Sequence, residues 1–197
     1  MRRALRVLLA LLVLAGCGDD DASTARSKDA ALGRALAKGG VVLVMRHAKT
    51  ETATDEVEVL GDCSRQRNLS AEGREQAQAI GRDVEALGVP VDEVRASPLC
   101  RAKETAELAF GRAEVDRTLV SPGVTGTIAD DDRRIRRLRR LTSAPPGSAI
   151  VLVTHTGNIG GAFEQSVEEG DMLVYRDGRM LGVVAPGDWK RLAEARG

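Results

Sequence analysis

Val41-Val42-Leu43-Val44-Met45-Arg46-His47-Ala48-Lys49 is five apolar residues that run directly into a cation and an imidazole. Preceded by Gly39-Gly40 and too short for a buried helix, the run reads as a strand covered on both faces, the habit of parallel sheets. The stretch Ala149-Ile150-Val151-Leu152-Val153-Thr154-His155-Thr156-Gly157-Asn158 repeats the plan. His47 and His155 are the only two histidines in 197 residues, and both follow such a strand. In open α/β sheets ligands collect just beyond the carboxyl ends of the strands, so the two contexts together predict a paired-histidine site.

Working outward, strands and helices alternate. Ala30 to Ala37 reads as a short helix stopped by Gly39-Gly40. The stretch Ala48 to Asn68 has no period and many charges, which suits a covering or functional loop. Ser70 caps a helix carrying Ala77, Ile80, Val84 and Leu87 on one face and ending at Gly88. Glu93 to Ala96 is a strand, and Ser97-Pro98 opens a helix over Leu99 to Phe110. A short strand at Ala113 to Val115 leads into an irregular loop through Ile128, then a helix from Asp130 to Thr142. A glycine-weakened helix follows from Asn158 to about Ser166, and Met172 to Arg176 with Met180 to Val184 make a hairpin about Asp177-Gly178. The alternation predicts one α/β domain of three layers, αβα, with a mainly parallel sheet and an antiparallel edge.

The first 16 residues stand apart. Arg2, Arg3 and Arg6, an apolar stretch from Val7 to Leu14, and Leu14-Ala15-Gly16-Cys17 have the layout of a signal peptide. The small residues ending on cysteine resemble a bacterial lipoprotein box, which implies lipidation of Cys17 and a membrane-anchored protein on the extracytoplasmic side. Residues 17–28 are expected to be a flexible tether and 29–197 the folded domain, roughly 165 residues, enough for one substantial core. Lys and Arg number 29 and Asp and Glu 29; without the three leader arginines the balance is 26 against 29. That balance argues against a nucleic-acid partner. Arg133, Arg134, Arg136, Arg137, Arg139 and Arg140 alternate with Ile135, Leu138 and Leu141 at helical spacing, a solvated helix face. Four aromatic residues in all argue against a stacking platform for sugars or bases. With Cys17 assigned to lipid, Cys63 and Cys100 are a disulfide candidate, two free thiols being the alternative.

The chemistry follows from the residue types. A neutral imidazole keeps a lone pair on one nitrogen while the other donates a hydrogen bond, which makes it a nucleophile toward phosphorus. Phosphoryl transfer also needs fixed cationic donors converging on one point, and arginine matches phosphate best. Arg46 stands beside the first histidine, and Arg101 opens a helix after a strand. His155 adds a donor; Lys49 and Asn158 are further candidates for substrate binding, with capping or loop roles equally open. The residues offer no ligand cluster for a metal, and no cofactor is expected.

Val42 to Lys49, Asn68-Leu69-Ser70-Ala71-Glu72-Gly73-Arg74-Glu75-Gln76-Ala77, Ala96-Ser97-Pro98-Leu99-Cys100-Arg101-Ala102-Lys103-Glu104-Thr105-Ala106 and Val153 to Asn158 resemble, in order, the signatures of the histidine phosphatase superfamily, the phosphoglycerate mutase-like fold. The resemblance implies that His47 becomes phosphorylated and that Arg46, Arg101 and His155 complete the phosphate pocket, with Glu104 and Thr105 in supporting roles. Many members carry an acid after the second arginine or after the second histidine. Here Thr156 follows His155 and the loop Ser121 to Thr127 has no carboxylate, which leaves the general acid unassigned, with Glu51, Asp130, Asp131 and Asp132 as remote candidates. The implied activity is metal-independent hydrolysis of small phosphorylated substrates in the cell envelope, favouring good leaving groups. The competing reading is a non-catalytic lipoprotein that holds a phosphorylated or sulfated ligand in the same pocket. The oligomeric state is left open by the sequence.

Overall fold

The computed structural model describes residues 19–52, 59–145 and 147–196. The leader and Cys17 lie outside the described residues. Six strands form one sheet in the order β3-β2-β4-β1-β5-β6: β1 (Val41–Arg46), β2 (Val91–Ala96), β3 (Glu114–Val115), β4 (Ala149–Thr154), β5 (Met172–Arg176) and β6 (Arg179–Val184). β1 to β4 are parallel, β5 runs antiparallel to β1, and β6 antiparallel to β5. The two histidine-bearing strands are the central neighbours. Their register pairs Arg46 with Thr154, so His47 and His155 leave the sheet at the same level, and His47 N donates to Thr154 O at 3.1 Å.

Both faces of the sheet are covered. Val41, Leu43 and Met45 pack with Ile80, Val84, Ala102, Ala106 and Trp189, while Val42 and Val44 face Leu119, Leu138 and Ile159. The first layer comes from α2 (Ala71–Ala86), α3 (Cys100–Phe110) and α6 (Trp189–Arg196), the second from α4 (Ile128–Arg140) and α5 (Thr156–Phe163). This is the three-layer α/β arrangement expected, with its antiparallel edge at β5 and β6. Ser70 caps α2 by accepting from Gly73 N. Thr127 and Asp130 form a reciprocal capping box on α4, starting it two residues before the expected Asp130.

Three expectations need correction. Instead of a tether followed by a helix over Ala30 to Ala37, one helix, α1, runs Asp19–Lys38. Alanines at 25, 30, 31 and 35 favour helix, and exposed residues at 23–28 continue a helix whose inner half is anchored by the Asp29–Arg191 ion pair and the buried Leu36. The helix α6 had no counterpart in the sequence reading, because two apolar residues alone, Trp189 and Leu192, mark its buried side. The arginine row on α4 is not all solvated: Arg134 holds Thr125 and Asp131, and Arg139 donates to the carbonyls of Gly161 and Ala162.

Candidate active site

The site sits where β1, β4 and β2 run out. His47 is 2% exposed, and its Nδ1 lies 2.9 Å from the carbonyl of Ala48. A carbonyl only accepts, so Nδ1 carries the proton and Nε2 keeps the lone pair. Arg101 Nε donates to that Nε2 at 3.2 Å. Burial above all, with the positive fields of Arg101, Arg46 and Arg67, depresses the His47 pKa to about 3 against a partial opposing pull from Ala48. The ring is therefore neutral at any physiological pH, as a nucleophile requires.

His155 lies beside it, ring centroids 5.3 Å apart and planes inclined by 55°. Its Nε2 is 2.7 Å from Ser97 Oγ, while Nδ1 is buried without a partner. Ser97 Oγ accepts from Leu99 N and pairs with His155 Nε2, a contact in which the hydroxyl or the ring can donate. With the hydroxyl donating, the imidazole proton sits on Nδ1, a neutral donor. Burial first, then the neighbouring His47 and the arginines, hold the His155 pKa well below the ordinary histidine value, so this donor works uncharged.

Arg46 reaches the same end of the sheet. Its Nη1 donates to Val167 O at 2.8 Å and its Nη2 lies 3.5 Å from Glu169 Oε1, leaving Nε buried and unpartnered. Glu169 is itself held by Thr50, whose hydroxyl donates to Oε1 at 2.7 Å. Its carboxylate is 3.9 Å from His47 Nδ1, the nitrogen turned away from attack, so it positions Arg46 and does not face the nucleophilic lone pair.

Arg101, 4% exposed, comes from the first turn of α3. Thr105 Oγ1 donates to Arg101 O at 2.7 Å and accepts from Ala48 N at 3.0 Å, tying this turn to the residue after His47. Glu104 pairs with Arg74 and joins α3 to α2. A disulfide joins Cys63 to Cys100 with Cα atoms 5.7 Å apart, as the cysteine count suggested. It fastens the 3-10 turn Cys63–Arg65 to the start of α3, where Gln66 Oε1 also accepts from Cys100 N at 2.8 Å.

The structure thus brings Arg46, His47, Arg101 and His155 together and treats the other candidates differently. Lys49 turns to Glu72, with Nζ 2.7 Å from both carboxylate oxygens. Asn158 is fully buried and donates to Val120 O at 3.0 Å, bracing the loop after the 3-10 turn Arg117–Leu119; its Oδ1 has no partner. Of the remote acids, Asp130 caps α4 and Asp131 holds Arg134 and Gly123 N, while Glu51 and Asp132 are exposed. Ser97 and Glu169 are additions that the sequence reading missed. Ser97 had a usable signal, since it directly follows β2 as His155 directly follows the neighbouring β4, and Ser97 N donates to Val153 O. No group of three metal-ligating side chains occurs among the described residues, and no helix among them is long and apolar enough to cross a membrane.

Residues 42–124 match the family model of the Histidine phosphatase superfamily (branch 1). The chain is 36% identical over 61 residues to the serine/threonine-protein phosphatase Pgam5 of Drosophila persimilis, a match spanning 31% of this chain and 21% of that protein, about a fifth of its length. The fold is similar to that of the protein histidine phosphatase SixA complexed with tungstate, with a TM-score of 0.51, 16% identity, and coverage of 74% of this chain and 97% of SixA. It is similar again to a phosphoserine phosphatase mutant from Entamoeba histolytica in complex with phosphoserine, with a TM-score of 0.53, 13% identity and coverage of 75% and 98%. At those identities the likeness speaks for the fold, and the sequence match carries the Arg46-His47 and Arg101 segments. Over residues 42–124 this chain is similar in sequence to the histidine phosphatase superfamily, and its fold is similar to that of solved phosphatases.

Proposed function

We propose that this protein is a metal-independent phosphatase that hydrolyses small phosphoryl compounds through a phosphohistidine on His47. The observation that carries the reading is the state of His47: buried, neutral, its Nδ1 committed to Ala48 and its Nε2 lone pair held among Arg101, Arg46 and His155. In the first step Nε2 attacks phosphorus, the N–P bond forms and the P–O bond to the leaving group breaks. The imidazolium charge that develops is eased through Nδ1–H on the Ala48 carbonyl, and the negative charge on the phosphoryl oxygens through the arginines and His155 Nδ1–H. Water then attacks phosphorus, the N–P bond breaks, and phosphate leaves with His47 neutral again.

None of the acids considered contacts the attacking side of His47. General acid help is worth about 100- to 10,000-fold, so the proposed substrates carry leaving groups that depart without it, such as phosphohistidine, pyrophosphate-type or aryl phosphates. The named relatives act on different phosphorylated groups, and a phosphoryl compound of the cell envelope is the substrate class proposed here. Location is part of the proposal. A lipid on Cys17 would hold the domain at the extracytoplasmic face of a membrane, and the Cys63–Cys100 bridge suits an oxidising compartment. Incorporation of labelled fatty acid, abolished in Cys17→Ser, tests the anchor.

The deciding experiment incubates the full-length chain in detergent with labelled p-nitrophenyl phosphate without added metal. Acid-labile, alkali-stable label on the wild type, absent from His47→Asn, supports the phosphatase. Tungstate binding without label or turnover would instead support the ligand-holding module, which the unfilled acid position favours.

A further inference from the structure

We infer that Arg67 is a third guanidinium of the pocket and binds the non-bridging oxygens of the phosphoryl group alongside Arg46 and Arg101. The inference rests on the pocket being a phosphate site, as proposed above, and adds a substrate-contacting residue drawn from the loop after β1.

The backbone around Arg67 is fixed at the site from several directions. Its carbonyl accepts from Arg101 Nη1 at 3.4 Å, the same guanidinium whose Nε reaches His47. Gln66 accepts from Cys100 N, Asn68 Nδ2 donates to Cys63 O at 2.6 Å, and the disulfide closes the segment onto α3. The Arg67 backbone is thus tied to the pocket wall through Arg101, although it belongs to a loop. Its side chain is partly buried, yet no carboxylate among the described residues pairs with it. Three other partly buried arginines have carboxylate partners, Arg46 with Glu169, Arg95 with Glu93 and Asp116, and Arg134 with Asp131, while Arg176 spends its donors on the carbonyls of Ala35, Gly39 and Gly40. A cation that gives up part of its hydration without a counter-ion costs stability, which a bound anion would offset.

The direction of the charge is also visible. Arg67 helps to lower the pKa of both His47 and His155, so its field reaches both rings that frame the phosphoryl position. Arg46 is already partly neutralised by Glu169, whereas Lys49, the cation nearest to His47 on the far side in sequence, is spent on Glu72. A solvated surface arginine would account for the exposure alone; it would not account for a backbone pinned to Arg101 and a field felt by both histidines.

The test is tungstate binding by calorimetry to the full-length chain in detergent, comparing wild type, Arg67→Ala, Arg67→Lys and, as a charge-matched control on the exposed face of α4, Arg136→Ala. Loss of a charge-assisted hydrogen bond predicts affinity about 10- to 100-fold weaker in Arg67→Ala, with partial recovery in Arg67→Lys. Arg136→Ala should bind as wild type does, and thermal stability should not fall in any of them, since the Arg67 side chain has no ion-pair partner to lose. Unchanged affinity in Arg67→Ala, or an equal loss in Arg136→Ala, overturns the inference. Wild-type binding that depends on Arg67 without any turnover would leave the inference standing and remove the phosphatase reading; no wild-type binding removes both.

Discussion

Arg101 Nε stands 3.2 Å from His47 Nε2 and donates to it, so the lone pair that the proposed mechanism directs at phosphorus is occupied by a cation. The contact serves two ends. It keeps the imidazole unprotonated, because a second proton on the ring would face the guanidinium directly, and it stores the arginine where the phosphoryl oxygens will be. In the proposed mechanism substrate entry would exchange this N–H···N bond for N–H···O bonds to the incoming anion and release the His47 lone pair.

That arrangement ties stability to pH. His47 titrates at about 3 in the folded protein and near 6.5 when unfolded, and His155 is shifted the same way. Between those values the unfolded chain binds more protons than the folded one, so stability rises with pH there and is lost as pH falls from about 6.5 toward 3. His47 alone contributes a slope of about 1.4 kcal/mol per pH unit in this window. No other histidine exists to confuse the reading. Urea midpoints at pH 7, 6 and 5 should decline steadily for wild type and more shallowly for His47→Asn; parallel curves would contradict the buried neutral state.

Ser97 acts through His155. With the hydroxyl donating to Nε2, the proton sits on Nδ1, which the proposed mechanism turns to the phosphoryl oxygens; without it the ring is free to adopt the other tautomer, with a lone pair there. Ser97→Ala should lower kcat on p-nitrophenyl phosphate by about 10- to 100-fold, with a smaller change in KM. Ser97→Thr, which keeps the hydroxyl, should recover part of it. A pure packing role would instead lower thermal stability and leave kcat of the folded fraction intact.

What could be read in advance was what local chemistry encodes. β1 and β4 announced themselves as apolar runs of strand length, Ser70 as a cap, and Asp177-Gly178 as a turn whose residues do adopt positive φ, 49° and 74°. The Arg46-His47 and His155 ends followed, because parallel neighbours must deliver their carboxyl ends to one edge. Glu169 and Arg67 were not legible, since each arrives on a loop whose path is set by tertiary partners with no period in the sequence. Lys49 shows the opposite error: two residues from the nucleophile, it points to Glu72 because the chain has already turned to meet α2. The extent of α1 was missed for a related reason, since a polar, alanine-containing stretch reads as tether until the packing of its inner half is seen.

The turn that carries Lys49 toward α2 explains a glycine. At Gly73, in the first turn of α2, an added Cβ would lie 1.8 Å from the Lys49 carbonyl, a contact that only displacement of the backbone after His47 relieves. Gly160 in α5 offers the contrast, its nearest neighbour being Gln165 O at 3.9 Å. Gly73→Ala should destabilise by about 1–3 kcal/mol and reduce kcat/KM even below its melting range. Gly160→Ala should stabilise by roughly 0.5–1 kcal/mol through helix propensity. Thermal melts and initial rates on both variants check the pair, and equal effects would refute the close approach.

The Cys63–Cys100 bridge should prove more than a clamp on stability. It closes a segment of 37 residues, which by chain entropy is worth about 4 kcal/mol. Its ends, however, are the turn leading to Arg67 and the residue before Arg101, so opening it loosens two cations of the pocket as well as the chain. Reduction, or Cys63→Ala with Cys100→Ala, should therefore lower the melting temperature and also raise KM and weaken inhibition by vanadate in the still-folded protein. Residual order would come from the contacts that do not need sulfur, Gln66 to Cys100 N and Arg67 O to Arg101, so kcat should suffer less than KM. If the melting temperature falls while KM and vanadate inhibition hold, those two hydrogen bonds suffice to place the arginines and the bridge serves the fold alone.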